Sequence, residues 1–173
     1  MQDKKVLTRE QILKAASECF ARFGYTKTNF LDVAKRAGIS RALLYTYFKN
    51  KEDLFVTMQA ENNESYARRS REIVASDLPK KEKLRSVIDI WIIEPYRIIN
   101  KSPVPNAWLD QLKSVTQSEM EFRELFINSL APILGKDAAE IVVLSYRGLL
   151  DDRPPVEVLE KRTDILVDIL TPT

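Results

Sequence analysis

Histidine is absent from the 173 residues and cysteine occurs once, which removes imidazole acid/base relays, His-ligated zinc and any intramolecular disulfide. Glycine is also scarce, at four residues, and no Asn-Gly or Asp-Gly dipeptide joins two alternating runs, so hairpin architectures have no support. Long apolar runs are missing as well. "IWII" and "IVVL" fall far short of a bilayer, and "MQDKKVLTRE" has no apolar stretch after its lysines, so a cytoplasmic protein in a reducing compartment, without a membrane partner, is expected. The lone Cys19 reads as a small core residue.

What is present is helix periodicity and charge. Hydrophobic residues make up 45% and charged residues 30%, enough to fill one compact core and keep its surface wet. The net charge of +2 is unevenly divided: residues 1–51 hold 11 Lys/Arg against 4 Asp/Glu, and residues 52–173 hold 16 against 21. A basic front half points to a polyanion, and the acidic back half to another task.

Apolar residues recur at spacings of three and four through most of the chain, which predicts an all-α fold. Thr8 and Gln11 form a capping box for a first helix that buries Ile12, Ala15, Ala16, Cys19, Phe20 and Phe23 and ends at Gly24 in a left-handed cap. Asn29 and Asp32 open a short second helix ending at Ala37 and Gly38, and Ser40 caps a third over Arg41 to Phe48. Two short helices around a glycine turn outline a helix-turn-helix. A long helix is expected over 51–75, another from about Glu82 that Pro95 kinks or breaks, and further ones over about 106–115, 118–134, 137–150 and 155–170.

In the third helix Leu44 and Phe48 share the core face, leaving Arg41, Ala42, Tyr45 and Thr46 on other faces. Arginine forks onto guanine O6 and N7 in a major groove, and small or methyl-bearing residues meet thymine, which suits Arg41 and Ala42. Tyr47, Lys51 and the amides around Asn29 and Ser40 suit phosphates.

The stretch "TREQILKAASECFARFGYTKTNFLDVAKRAGISRALLYTYFKNKEDLF", Thr8 to Phe55, resembles the TetR family of bacterial transcriptional regulators, above all in "FARFGY", "DVAKRAGIS", "LYTYF" and "NKEDLF". It departs from the usual pattern at Arg41-Ala42, where Lys-Gly is common, and at Asn29-Phe30, which leaves the operator sequence open. The resemblance implies an N-terminal three-helix DNA-binding domain over 1–51 and a C-terminal helical effector-binding and dimerisation domain over 52–173. It further implies a homodimer that binds double-stranded operator DNA and is released, usually from repression, by a small-molecule effector. Ser40 to Tyr47 would be the recognition helix, with Asn29, Ser40, Arg41, Ala42, Tyr45, Thr46, Tyr47 and Lys51 as the DNA-binding set.

Trp91, Tyr96, Trp108, Phe122, Phe126 and Tyr146 are the aromatics able to line an effector cavity. Asp89 pairs with Arg85 at i,i+4, and Glu94 lies within reach of Arg97. Small residues Ala138, Ala139, Ser145 and Gly148, with Val156, Leu159, Leu166 and Leu170, suit a four-helix dimer interface between the last two helices of each copy. The competing class is a helical binding protein or enzyme that keeps the motif as scaffold. No nucleophile–base pair, metal cluster or phosphate loop supports it, so no catalytic residue, metal ligand or cofactor is assigned.

Overall fold

The computed structural model describes residues 2–101 and 116–172, and every regular element among them is helical. Trp108 and the helix expected over 106–115 lie outside the described residues. The chain divides into two compact units, the first taking in residues 2–62 and the second residues 63–100 and 119–172. Among the described residues no helix is long and apolar enough to cross a membrane.

Helix α1, Gln2–Lys27, begins six residues before Thr8, so the expected capping box lies inside the helix. Asp3 to Leu7 contain no helix breaker. Gly24 does not end α1 in a left-handed cap. Its φ of 76° and ψ of 160° kink the helix in a region open almost only to glycine, and a further turn runs on to Lys27.

Helices α2 (Phe30–Ala37) and α3 (Arg41–Tyr47) follow, then α4 (Lys51–Ala75). The core of the first unit joins Ile12, Ala16, Phe20, Val33, Leu44 and Phe55. Phe23, expected in that core, is 40% exposed, with the Arg22 guanidinium 5.2 Å from its ring centroid. The kink one residue later turns this part of α1 away from the apolar seam.

In the second unit α5 (Lys80–Ile88) runs into a π-helical turn, Asp89–Ile93, and on into α6, Glu94–Asn100. Of the kink or break expected at Pro95, the break does not occur: the chain stays helical through residue 100. The Glu94 amide donates five residues back, to the Asp89 carbonyl, and the wider turn relieves the clash a proline ring makes with the preceding turn. Ile90, Trp91, Ile92 and Ile93 are all buried in it.

Helices α7 (Thr116–Leu134), α8 (Lys136–Leu149) and α9 (Val156–Leu170) complete the described elements. Arg85 meets Asp89 as expected and also Asp164 at 2.7 Å. Glu94 does not pair with Arg97. It forms a two-pronged bond with Arg69 at 2.7 and 2.8 Å, while Arg97 reaches Glu160. Both are tertiary partners, and the two parallel bonds of Arg69 to Glu94 outweigh the weak i,i+3 alternative.

The residues expected at a dimer interface divide between the chain's own core and its surface. Ala139 and Leu159 are fully buried in the chain's own core, and Val156, Leu166 and Leu170 pack against that core. The apolar groups that α8 and α9 turn outward are Ile141, Leu144, Val158, Ile165 and Ile169, between 39% and 69% exposed.

Candidate nucleic-acid interface

The helix-turn-helix is held by its caps. Asn29 Oδ1 accepts from the amides of Leu31 and Asp32 at 2.9 and 3.1 Å, and the Asn29 amide donates to Asp32 Oδ2 at 3.1 Å, completing the predicted reciprocal box. Gly38, at φ 68°, takes the left-handed conformation that ends α2, and the Ile39 amide donates back to the Ala34 carbonyl at 3.0 Å. Ser40 Oγ accepts from the Leu43 amide at 3.1 Å and opens α3. Of the amides at these two helix starts, those of Asn29, Leu31, Asp32 and Leu43 are held within the chain. A second, related box opens α4: the Asp53 amide donates to Asn50 Oδ1 and the amide of Lys49, one residue before the cap, to Asp53 Oδ2, each at 2.8 Å. Its signal is the same Asn-x-x-Asp spacing as at Asn29.

With both ends fixed, α3 divides by face. Leu44 is 0% exposed and Phe48, its C-cap, 3%, whereas Arg41, Ala42, Leu43, Tyr45 and Thr46 face solvent. Tyr47 is half-buried against the core, so only part of its ring is presented. The Tyr45 ring lies 4.9 Å from that of Phe30 and is itself covered by the Arg41 guanidinium, 5.5 Å from the centroid, which also donates to the Tyr45 hydroxyl at 3.3 Å. Phe30, an unusual residue at its position, therefore props the tyrosine that steadies Arg41.

Lys51, expected at a phosphate, is hydrogen-bonded within the chain. Its ammonium donates to the carbonyls of Tyr25, Thr28 and Thr26 at 2.8, 3.0 and 3.5 Å and sits 4.3 Å from the Tyr25 ring centroid. An ammonium has three N–H groups, and all three point at the end of α1. Burial lowers the Lys51 pKa from its usual value. Tyr25, whose own pKa burial and the Glu52 charge raise, packs edge-on to Phe55 and stacks near Phe20. Thr28 Oγ1 donates to the Gly24 and Cys19 carbonyls at 2.8 and 3.1 Å, tying down the backbone just before Asn29.

These pieces line an open cleft of about 330 Å³ bounded by Lys27, Asn29, Phe30, Arg41, Tyr45 and Asn50. Lys27, Arg41 and Lys51 give it positive charge, and no carboxylate lines it. A flat, cation-bearing cleft of this kind beside an exposed helix matches the shape and charge of a nucleic-acid backbone.

Of the aromatics expected to line an effector cavity, Trp91, Phe122, Phe126 and Tyr146 are engaged with one another. Trp91 is 1% exposed, stacks on Phe126 at 5.4 Å, meets Phe122 edge-on at 5.3 Å and donates from Nε1 to Ser70 Oγ at 2.9 Å. The Tyr96 hydroxyl donates to the Pro154 carbonyl at 2.7 Å and the Tyr146 hydroxyl to Thr163 Oγ1 at 3.0 Å. Burial pushes the Tyr146 pKa up to about 12.

Residues 12–58 match the family described as bacterial regulatory proteins, tetR family. The chain is similar to the fatty acid metabolism regulator protein of Bacillus subtilis, at 37% identity over 78 residues, which is 45% of this chain and 40% of that relative's own length. Among solved structures it is similar to a TetR transcriptional regulator from Legionella pneumophila, with a TM-score of 0.74, 21% identity and coverage of 92% of this chain and 95% of that one. It is also similar to the transcriptional regulator FadR from Bacillus subtilis in complex with stearoyl-CoA, with a TM-score of 0.61, 23% identity and coverage of 91% and 96%.

Proposed function

Since residues 12–58 match the tetR family of bacterial regulatory proteins, we propose that the chain is a DNA-binding transcriptional regulator that acts in the cytoplasm and reads a palindromic operator as a homodimer. Residues 1–51 form the reader and 52–173 the effector-binding and dimerisation part. The observation that carries this reading is the division of α3: Leu44 anchors it in the core while Arg41, Ala42, Tyr45 and Thr46 stand outside it on a doubly capped scaffold. Arg41, Ala42 and Thr46 face bases. Tyr45, the exposed part of Tyr47, Lys27 and the Asn29 side-chain amide group face phosphates around the cleft. Lys51 works from behind them by holding the end of α1.

The partner copy covers the outward apolar residues Ile141 and Leu144 of α8 and Ile165 and Ile169 of α9, an isologous contact that places two recognition helices to read two half-sites. The effector is a small molecule with an apolar part, seated among the aromatics of the second unit, and its binding releases the protein from repression. A fatty acyl-CoA is the class to test first, because the similar FadR structure holds stearoyl-CoA.

Selection of bound duplexes from a random library tests the proposal. Enrichment of one palindromic site, with binding that falls as salt rises, is the expected result; a library left unenriched would refute it.

A further inference from the structure

Helix α3 turns to solvent a face nearly empty of polar readers. At about 100° per residue, Ala42 and Thr46 lie opposite the buried Leu44, with Leu43 on one flank and Arg41 and Tyr45 on the other. The Thr46 hydroxyl donates to the Leu43 carbonyl at 2.7 Å, so it is turned back along the helix and the γ-methyl is left as its outward group. Leu43, whose amide Ser40 holds, is 39% exposed. The centre and one flank of the face are therefore methyl groups on Ala42, Leu43 and Thr46, beside the guanidinium of Arg41. No Asn, Gln, Asp or Glu stands in the helix to bond adenine or cytosine.

One exposed leucine on a surface is ordinary, but three adjoining methyl-bearing side chains on the face that meets DNA need an apolar counterpart. In a major groove only the C5-methyl of thymine offers one. We infer that Leu43 is a specificity-determining residue that, with Ala42 and the Thr46 methyl, packs on thymine methyls, so that each half-site carries thymine next to the base Arg41 reads. This rests on the DNA-binding reading above and adds the chemistry of its recognition.

The test uses the full chain and its selected operator, with each thymine replaced singly by deoxyuridine, which removes the methyl and keeps the pairing. At one or more thymines per half-site the wild-type protein should lose about fourfold in affinity, as burial of a methyl group predicts. Leu43→Ala should distinguish the thymine and uracil forms clearly less than the wild type at one or more of those sites. Because Leu43 is partly exposed, that variant should keep the wild-type melting temperature. Thr46→Ser, which retains the hydroxyl bond and lacks the γ-methyl, gives a second reading and should lose part of the same sensitivity. Arg41→Ala should keep it. Equal wild-type affinity for thymine and uracil at every position would overturn the inference, as would a Leu43→Ala protein that distinguishes them at every position as well as the wild type does. Failure to select any duplex would instead refute DNA binding itself.

Discussion

Arg41 is steadied before any DNA arrives, by the Tyr45 hydroxyl at 3.3 Å and by the ring beneath it. Arg41→Ala is expected to weaken specific binding by about 1 to 3 kcal/mol and to flatten preference at the base it reads, checked by affinity across a panel of operator variants. Arg41→Lys should recover charge but not preference, because an ammonium lacks the fork. Lys51→Met is expected to lower folding stability by about 2 kcal/mol in urea titration, since it removes charge-assisted bonds to the end of α1. A salt slope unchanged in that variant would separate this capping role from a phosphate contact. Both residues are cations in one short stretch, and only their faces were legible in the sequence. Leu44 and Phe48 fall inward by spacing alone, which leaves Arg41 outside. The use of Lys51 depends on carbonyls more than twenty residues earlier in the chain, and the exposure of Phe23 on a kink that follows it, so neither has a local signature.

Among elements, α2 depends most on its first turn. Asn29→Ala should cost about 1 kcal/mol of stability and loosen the cleft wall that Asn29 shares with Lys27, read by denaturation and by amide exchange at Leu31 and Asp32. Both Asn-x-x-Asp boxes can be read directly from sequence, because capping is satisfied within four residues. The course of α5 to α6 could not be. Proline predicts the loss of a hydrogen bond, and whether a helix answers by breaking or by widening one turn depends on what surrounds it. Here four consecutive buried residues, Ile90 to Ile93, reward the wider turn with burial on several sides. The pairing of Glu94 was misjudged for a related reason: Arg69 lies 25 positions away and offers two parallel bonds.

For the molecule as a whole, assembly and alkaline stability are the measurable consequences. Ile169 is 69% exposed, so Ile169→Glu should leave the monomer fold intact and shift the protein from dimer to monomer in sedimentation, with operator affinity falling alongside. The Tyr146 hydroxyl holds its proton to about 12 in the folded chain and to about 10 once unfolded. Above pH 10 the unfolded chain releases a proton the folded one keeps, so stability is level below that pH and declines by up to about 3 kcal/mol as pH rises toward 12. Tyr146→Phe should shallow that decline in alkaline denaturation curves, while Tyr25 and Tyr66, raised by burial in the same direction, preserve part of it.

The π-helical turn has one more consequence, which is a matter of phase. Arg85 and Arg97 are twelve residues apart, and on an unbroken α-helix that separation would point them about a third of a turn apart. The turn at Asp89–Ile93 absorbs one residue, and eleven α-helical steps return nearly to the starting direction. That brings both guanidiniums to bear on Asp164 and Glu160, which are themselves one α-helical turn apart on α9. Deleting a single residue from the turn should leave eleven steps of unbroken α-helix between the two arginines, so that a double-mutant cycle still finds Arg97 coupled to Glu160.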